Sequence, residues 1–190
     1  MFELQNRDVI IRIIELLSDK DKRNLFLCSR IANTFAVFAY FYDLYWHDNN
    51  IHKSKYYDQI TNIAVTCSVI FPKSVKKIHY HFNKIAIDEI PQGTTHVFFY
   101  DDFNQNIKGL IPDSVTHLFF NSFDQDIKGV IPNSITHLGL SDYFRHSVKN
   151  SLPDGIIEVA LPLLYKKIKL NPKIKVRFYQ RNIDGPLFIL

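Results

Sequence analysis

The sequence predicts an α+β protein in which a small N-terminal helical module precedes a solenoid whose parallel β-sheet is built from short strands. Three observations predict this fold. Apolar residues follow a helical period near the N-terminus, prolines recur every 19 to 21 residues from Pro72 onward, and the same apolar triplet follows each of the first five prolines. Self-similarity at a fixed short period indicates stacked units and not one ordinary packed domain.

The repeat is clearest in residues 103–120 and 123–140, which have nearly the same sequence. Its register is marked by Pro72, Pro91, Pro112, Pro132 and Pro153, with Pro172 as a degenerate sixth. We number seven strand positions from the third residue after each proline, so that Val115 is position one and Asn121 is position seven. The apolar residues then stand at positions one, four and six. These triplets are Val75/Ile78/Tyr80, Val115/Leu118/Phe120, Ile135/Leu138/Leu140 and Ile156/Val159/Leu161, with Thr94/Val97/Phe99 slightly off type.

Proline cannot donate a ladder hydrogen bond, so each proline is expected in the turn before a strand. Side chains alternate along a strand, so positions four and six should face the interior and positions three, five and seven the solvent. A turn carrying a phenylalanine then returns the chain over the core. One such coil cannot bury its apolar face alone, whereas stacked coils form a continuous core with strands about 4.8 Å apart.

The N-terminal 46 residues have the pattern of a helical module. Residues 8–17 place Val9, Ile13, Leu16 and Leu17 on one helical face, with Ile10 and Ile14 widening the stripe. Ser18 followed by Asp21 predicts a capping box and a second helix to about Cys28. The aromatic-rich stretch 33–46 is interpreted as a third helix. We expect the module at 1–46, a linker and capping strand at 47–71, repeats at 72–162 and a degenerate coil with a C-terminal cap at 163–190.

Composition narrows the class of protein further. Cys28 and Cys67 show neither paired spacing nor a zinc-like cluster, which fits a reducing compartment. No apolar run approaches the length of a membrane span, and the first residues lack the order of a signal peptide. A cytosolic protein is therefore expected. The net charge of +4 is too small to indicate nucleic-acid binding by itself.

The repeat resembles the FNIP repeat, named for its Phe-Asn and Ile-Pro positions and known from social amoebae and giant viruses of amoebae. Phe103-Asn104 with Ile111-Pro112 carries all four letters, and the next copy has Asp124 for Asn before Ile131-Pro132. The match covers about residues 72 to 162. The resemblance implies an architecture similar to a leucine-rich-repeat solenoid.

The N-terminal stretch resembles an F-box, with Gln5 where that family usually has proline. The resemblance implies docking of an apolar helical surface onto the Skp-type adaptor of a cullin-RING ubiquitin ligase, while the repeats select a target. The residues that match the adaptor-binding surface are Leu4, Val9, Ile10, Ile13, Leu16, Leu17 and Leu25. The alternative is a binding solenoid without a ubiquitin role, in which the helices only seal the stack.

The outward strand positions supply a candidate target-binding surface. Histidines occupy position three of three successive strands, and aromatic residues stand beside them at positions five and seven. The residues of this surface are His96, Phe98, Tyr100, His117, Phe119, Asn121 and His137. Contiguous apolar area on a monomer usually marks a partner site. The alternative is that an N-terminal segment or a neighbouring copy covers the aromatic residues.

Other chemistry is not favoured by the sequence. Metal ligands converge from different directions, whereas a ladder of histidines presents parallel vectors, so no metal site is predicted. Seven Lys/Arg and no acid stand between Lys166 and Arg181. The strict alternation of residues 173–178 predicts a terminal strand with its charges outward, and lysines there discourage edge-to-edge pairing. Nucleic-acid binding is a weaker alternative, and it predicts an affinity that falls steeply as salt is raised. No phosphate loop, nucleophile elbow or zinc helix is present, so we expect no enzyme, no cofactor and a monomer outside its complex.

Overall fold

The computed structural model describes residues 14–28, 45–46, 57–65, 70–81, 90–100, 103–166 and 168–179. Residues 14–16 are helical, α1 is Asp19–Cys28, and short 3-10 helices lie at Tyr57–Gln59 and Leu163–Tyr165. The strands are β1 (Tyr45–Trp46), β2 (Asn62–Val65), β3 (Lys77–Tyr80), β4 (His96–Phe99), β5 (His117–Phe120), β6 (His137–Gly139), β7 (Glu158–Pro162) and β8 (Lys175–Tyr179). The chain divides into two compact units, residues 1–63 with 70–75 and residues 64–69 with 76–190.

The second unit is a parallel β-solenoid. Strands β3 to β8 pair in chain order, each parallel to the next, without a crossover. The pairing is in register at position four, where Val97 lies opposite Leu118 and Leu118 opposite Leu138. The predicted stacking of these three residues is therefore confirmed, and one turn of the solenoid corresponds to one proline-spaced repeat.

The predicted interior positions are buried. Every residue of the five triplets retains at most 6% of its exposed area, including Thr94 in the second triplet. The aromatic members stack from coil to coil, with the ring centroids of Tyr80 and Phe99 5.2 Å apart and those of Phe99 and Phe120 5.3 Å apart. Offset stacking of buried aromatic rings stabilises beyond the area that they bury. The side chains at position six therefore form a continuous column.

The returning half of each coil contributes a second buried column. Phe103, Phe123 and Phe144 are fully buried, and the ring of Phe123 lies 4.3 Å from that of Phe120. The apolar residue four positions after each phenylalanine is also fully buried; these residues are Ile107, Ile127 and Val148. The phenylalanine of the motif and the apolar residue four positions after it thus close the core on the side opposite the sheet.

The residue after each phenylalanine connects one coil to the next. Asn104 Oδ1 accepts a hydrogen bond from the backbone N–H of Asp124 at 2.9 Å, and Asp124 Oδ1 accepts one from the backbone N–H of Arg145 at 2.7 Å. Asparagine and aspartate both offer this oxygen. The substitution of Asp124 for the asparagine of the motif therefore preserves the inter-coil hydrogen bond.

Turn geometry explains the prolines and a recurrent glycine. In each of the five repeats the residue at position one donates its N–H to the carbonyl of the proline, at 3.0 to 3.2 Å. Three residues before the proline the backbone enters the left-handed region, with φ of 77° at Gly109, 67° at Gly129 and 64° at Asn150. Glycine and asparagine tolerate this conformation best.

Ser18 caps the N-terminus of α1, which begins at Asp19, so the predicted N-cap and second helix are confirmed. Ser18 Oγ accepts a hydrogen bond from the N–H of Asp21 at 3.2 Å and donates one to the Asp21 carboxylate at 2.6 Å, in place of the reciprocal backbone bond of a capping box. Ile14 is buried, and so is an ion pair between Lys22 and Asp19 at 3.2 Å. Among the described residues, no helix is both long enough and apolar enough to cross a bilayer.

The predicted third helix needs correction at its end. Tyr45–Trp46 forms β1, so the helix does not reach Trp46. Aromatic residues favour strands as well as buried helices, and their spacing alone does not distinguish the two. Residues 33–44 lie outside the described residues, as do residues 1–13.

Candidate protein-interaction surface

A column of imidazole rings runs along the outward face of the sheet at position three. The ring centroids of His96 and His117 are 4.1 Å apart and those of His117 and His137 4.2 Å apart, with interplanar angles of 14° and 5°. All three side chains are half-buried. The column is bounded by Lys77 on β3 and Glu158 on β7, which occupy the same position. The histidines therefore present ring edges, not ring faces, to the solvent.

A second column at position two holds the histidines in place. The Oγ1 atoms of Thr95, Thr116 and Thr136 lie 2.8, 2.8 and 2.9 Å from Nδ1 of the histidine that follows each of them. Each threonine Oγ1 also lies 3.1 to 3.3 Å from a backbone carbonyl of the preceding coil. Nδ1 is thus engaged by the protein itself, and Nε2 is the ring nitrogen left for other contacts. The Thr-His dipeptide that recurs in three strands is the sequence signal for this arrangement.

His96 and His117 are uncharged at neutral pH. Burial, followed by the nearby His117 and Lys77, lowers the pKa of His96 to about 4. Burial and the neighbouring His137 also lower the pKa of His117. Desolvation disfavours the charged imidazole, and a stacked neighbour would add like-charge repulsion. His96 and His117 therefore present neutral polar edges rather than cations.

The column geometry does not suit a metal ion. Among the described residues, no group of three or more His, Cys, Asp or Glu side chains is arranged to hold one. The nearly parallel ring planes place the lone pairs side by side, whereas a tetrahedral centre needs ligands that converge. The arrangement is suited to hydrogen bonding and van der Waals contact.

Aromatic rings at positions five and seven continue the face. His79 stacks on Phe98 at 4.3 Å with an interplanar angle of 7°, and Phe98 stacks on Phe119 at 5.0 Å. His81 and Tyr100 stack at 4.3 Å. Burial lowers the pKa of His79 to about 4 and raises that of Tyr100. These planar side chains are packed against one another and lose little further freedom on contact with a partner.

One residue of the predicted surface differs from expectation. Phe119 is 3% exposed, so it is a buried residue and not an exposed one. Its ring is flanked by Phe98 at 5.0 Å and His117 at 6.4 Å. Strand alternation predicts the side of the sheet correctly but does not predict how completely neighbouring side chains cover a ring. Phe98, Tyr100 and Asn121 are half-buried.

The charged end of the face is internally paired. Glu158 is 9% exposed and forms ion pairs with Lys175, at 2.9 Å, and with Arg177. These cations hold the pKa of Glu158 below its ordinary value against the opposing effect of burial. The predicted terminal strand is confirmed as β8, and two of its charges neutralise a carboxylate of β7.

Only some of the residues predicted to bind the adaptor have side chains that the structure describes. Leu16 is 83% exposed and Leu17 is half-buried. Leu25 lies within α1, and its side chain is outside the described set. Leu4, Val9, Ile10 and Ile13 lie outside the described residues. Leu16 is thus an apolar side chain exposed to solvent where the family resemblance expects a docking contact.

Comparisons with known proteins identify the repeat. The FNIP repeat family model matches residues 82–123 and 123–163. An F-box and FNIP repeat-containing protein of Acanthamoeba polyphaga mimivirus is 30% identical over 133 residues, which covers 60% of this chain and 26% of the viral protein. The crystal structure of CroV588, described as a circular LRR protein, is similar over 64% of this chain and 21% of the CroV588 chain. The two share 30% sequence identity, with a TM-score of 0.49. The chain therefore contains FNIP repeats, which the family model matches at residues 82–163.

Proposed function

We propose that this chain is a non-catalytic interaction adaptor, in which the outward sheet face binds a target protein and the N-terminal helices dock onto a Skp-type adaptor of a cullin-RING ubiquitin ligase. The observation that carries the proposal is the continuous face of stacked imidazole and aromatic rings on a rigid solenoid. The F-box in the name of the mimivirus relative supports the second half. The chain spans 26% of the length of that relative.

The sheet face has the properties of a protein-binding surface. Solenoids present extended, gently curved surfaces of this kind to their partners. His96, His117 and Phe98 are each half-buried and fixed by neighbours on adjacent strands. Rigid amphipathic rings contribute contact area at low cost in side-chain entropy, and aromatic residues are enriched at the centres of interfaces.

The helical part supplies the second contact in this proposal. Leu16 is 83% exposed although it lies two residues from the buried Ile14. An exposed leucine leaves apolar surface in contact with water, and burying that surface against a docked partner would stabilise the complex. The other proposed adaptor contacts are Leu4, Val9, Ile10, Ile13, Leu17 and Leu25.

The mechanism would be tethering. Binding at two surfaces holds the target near the ligase and raises the effective concentration of its lysines without any chemistry on this chain. The protein would act as a monomer outside the complex, in the cytoplasm, which is that of the host if the protein is viral. The column of three histidines contributes recognition and not catalysis.

Co-purification with a Skp-type adaptor tests the docking half. The adaptor should bind the intact chain, and Leu16→Asp should weaken recovery at least about tenfold because a carboxylate would be buried at an apolar contact. Lys20→Ala, an exposed position on α1, is the matched control and should bind like the original chain. If the adaptor is not recovered, or if Leu16→Asp and Ile13→Asp both leave recovery unchanged, the chain is a repeat-only binding solenoid.

A separate experiment tests the target-binding half. Proteins captured from a host lysate by the original chain are compared with those captured by His96→Ala/Phe98→Ala and by Ile157→Ala. The first variant removes two rings of the face, and the second truncates a side chain that is 57% exposed outside positions three, five and seven. A specific partner should be lost only with the first variant. Equal capture by all three chains would contradict the assignment of this face.

A further inference from the structure

A groove opens on the turn side of the last two coils, away from the outward sheet face. Its cavity of about 500 Å³ lies between residues 148–156 and 169–174. Half-buried Leu152, Leu170 and Ile174 contribute an apolar floor, and exposed Lys149 and Lys169 stand at its rim. The groove thus combines an apolar floor with a positively charged edge.

The groove arises where the repeat pattern ends. Phe103, Phe123 and Phe144 are fully buried and stand nine residues before a proline, but Leu163 takes this place before Pro172 and is 42% exposed. Tyr165 instead covers the end of the phenylalanine column, with its ring 6.1 Å from that of Phe144 and its hydroxyl donating to the carbonyl of His146 at 2.9 Å. The last coil therefore closes the core differently from the others and leaves a recess beside the turn.

The rim lysines belong to a row set by the repeat. Lys108, Lys128 and Lys149 each stand four residues before a proline, and each side chain is exposed. Lys128 and Lys149 also line an adjoining cavity of about 300 Å³, so the two recesses share Lys149. Stacked coils bring successive lysines of the row to about the strand spacing of 4.8 Å.

The charges of this groove are not neutralised internally. Lys128, Lys149, Lys169 and Lys173 line the two cavities, against Asp126 and Asp154. None of these four lysines forms an ion pair with any residue that the structure describes. This contrasts with Lys175 and Arg177, which both pair with Glu158. The positive potential along the groove is therefore available to a ligand of opposite charge.

We propose that this groove binds an acidic, extended segment of a partner protein, whose carboxylates pair with the lysine row and whose apolar side chain enters the floor. Charge complementarity sets the sign of the ligand, and the aliphatic floor selects a peptide. A nucleic-acid strand would instead need aromatic side chains on which its bases stack, and neither cavity is lined by Phe, Tyr or Trp. This site is separate from the target-binding face and does not depend on its assignment.

Fluorescence anisotropy with a labelled probe tests the site on the full chain. The probe is a synthetic glutamate-rich peptide with one central leucine, and it should bind saturably with an affinity that falls as salt is raised. Lys149→Glu/Lys169→Glu should weaken binding by about tenfold or more. Lys108→Glu is the matched control, because Lys108 belongs to the same row but lines neither cavity, and it should change binding by less than about twofold. A peptide that lacks the leucine should bind more weakly than the probe.

The outcomes separate the alternatives. Absence of saturable binding, or equal loss in the double variant and in Lys108→Glu, overturns the site, since the second result would reflect only the general positive field. Tighter binding of a single-stranded oligonucleotide than of the peptide also overturns it. Circular dichroism of each variant verifies that the solenoid is folded. Because the sheet face is unchanged in these variants, their result is independent of target capture by His96 and Phe98.

Discussion

Removing the ring of Phe123 should destabilise the solenoid strongly. Phe123 is fully buried, its ring centroid lies 4.3 Å from that of Phe120 and 6.5 Å from that of Phe103, and it connects the returning half of one coil with the strand half. Truncation of a buried phenylalanine to alanine costs about 3–5 kcal/mol, as the sum of lost transfer free energy and a residual cavity. The stacked rings above and below are rigid and cannot collapse fully into the space. We therefore expect the upper half of this range for Phe123→Ala.

Urea unfolding followed by far-ultraviolet circular dichroism measures the loss. At roughly 2–4 °C per kcal/mol for a chain of this size, a loss of about 4–5 kcal/mol should lower the melting temperature by about 8–20 °C. Ile157→Ala is the control, because its side chain is 57% exposed, and it should cost less than about 1 kcal/mol. If Phe123→Ala costs no more than Ile157→Ala, the phenylalanine of the motif is not a core residue and the reasoning from the repeat fails.

Three further predictions concern the contacts between coils and the histidines of the sheet face. Asp124→Ala should cost about 1–2 kcal/mol in urea unfolding because the N–H of Arg145 loses its acceptor. Asp124→Asn retains the acceptor and should cost less than half as much. Equal losses in the two variants would contradict the inter-coil hydrogen bond. Gly155→Ala should destabilise the protein by about 1–3 kcal/mol, since a Cβ atom there would lie 2.6 Å from the carbonyl oxygen of Asn133. An unchanged urea midpoint would show that the two coils are farther apart at this position than the structure places them. The free energy of unfolding should fall as pH drops below about 6.5, because the folded-state pKa values of His79 and His96 are lowered to about 4 and the unfolded chain binds more protons between these pH values. His96→Phe should reduce the slope of unfolding free energy against pH, measured by urea titrations at several pH values. An identical slope would contradict the pKa of His96.

The sequence predicts the interior of the solenoid well because the proline spacing and the strand period both act locally. Once Pro112 and Pro132 mark the turns, alternation alone places Leu118 and Leu138 in the core. The same argument identifies β8, where charges and apolar residues alternate strictly. These predictions need no knowledge of how distant side chains pack.

Features that depend on packing between neighbours are predicted less completely. Strand alternation assigned Phe119 to the outward side, but its burial depends on the surrounding rings. Two hydrogen bonds become visible only when the coils are stacked: the one between Thr116 Oγ1 and His117 Nδ1, and the one that the Thr116 hydroxyl donates to the carbonyl of Thr95 in the preceding coil. The spacing of aromatic residues suggested a helix through Trp46, where the structure has a strand. The groove beside Lys149 exists because the last coil breaks the pattern, and a consensus read from the regular repeats cannot anticipate it.

Pairwise cysteine cross-linking along position three tests the stacked register most directly. In a chain carrying Cys28→Ser and Cys67→Ser, His117→Cys with His137→Cys places two thiols at directly paired positions of adjacent parallel strands. Their Cα atoms would be within the range that a disulfide bridges, so mild oxidation should link them in the native state. His117→Cys with Leu138→Cys puts the thiols on opposite sides of the sheet and should not link. Cross-linking of the second pair in preference to the first would contradict the register on which the solenoid and its binding face depend.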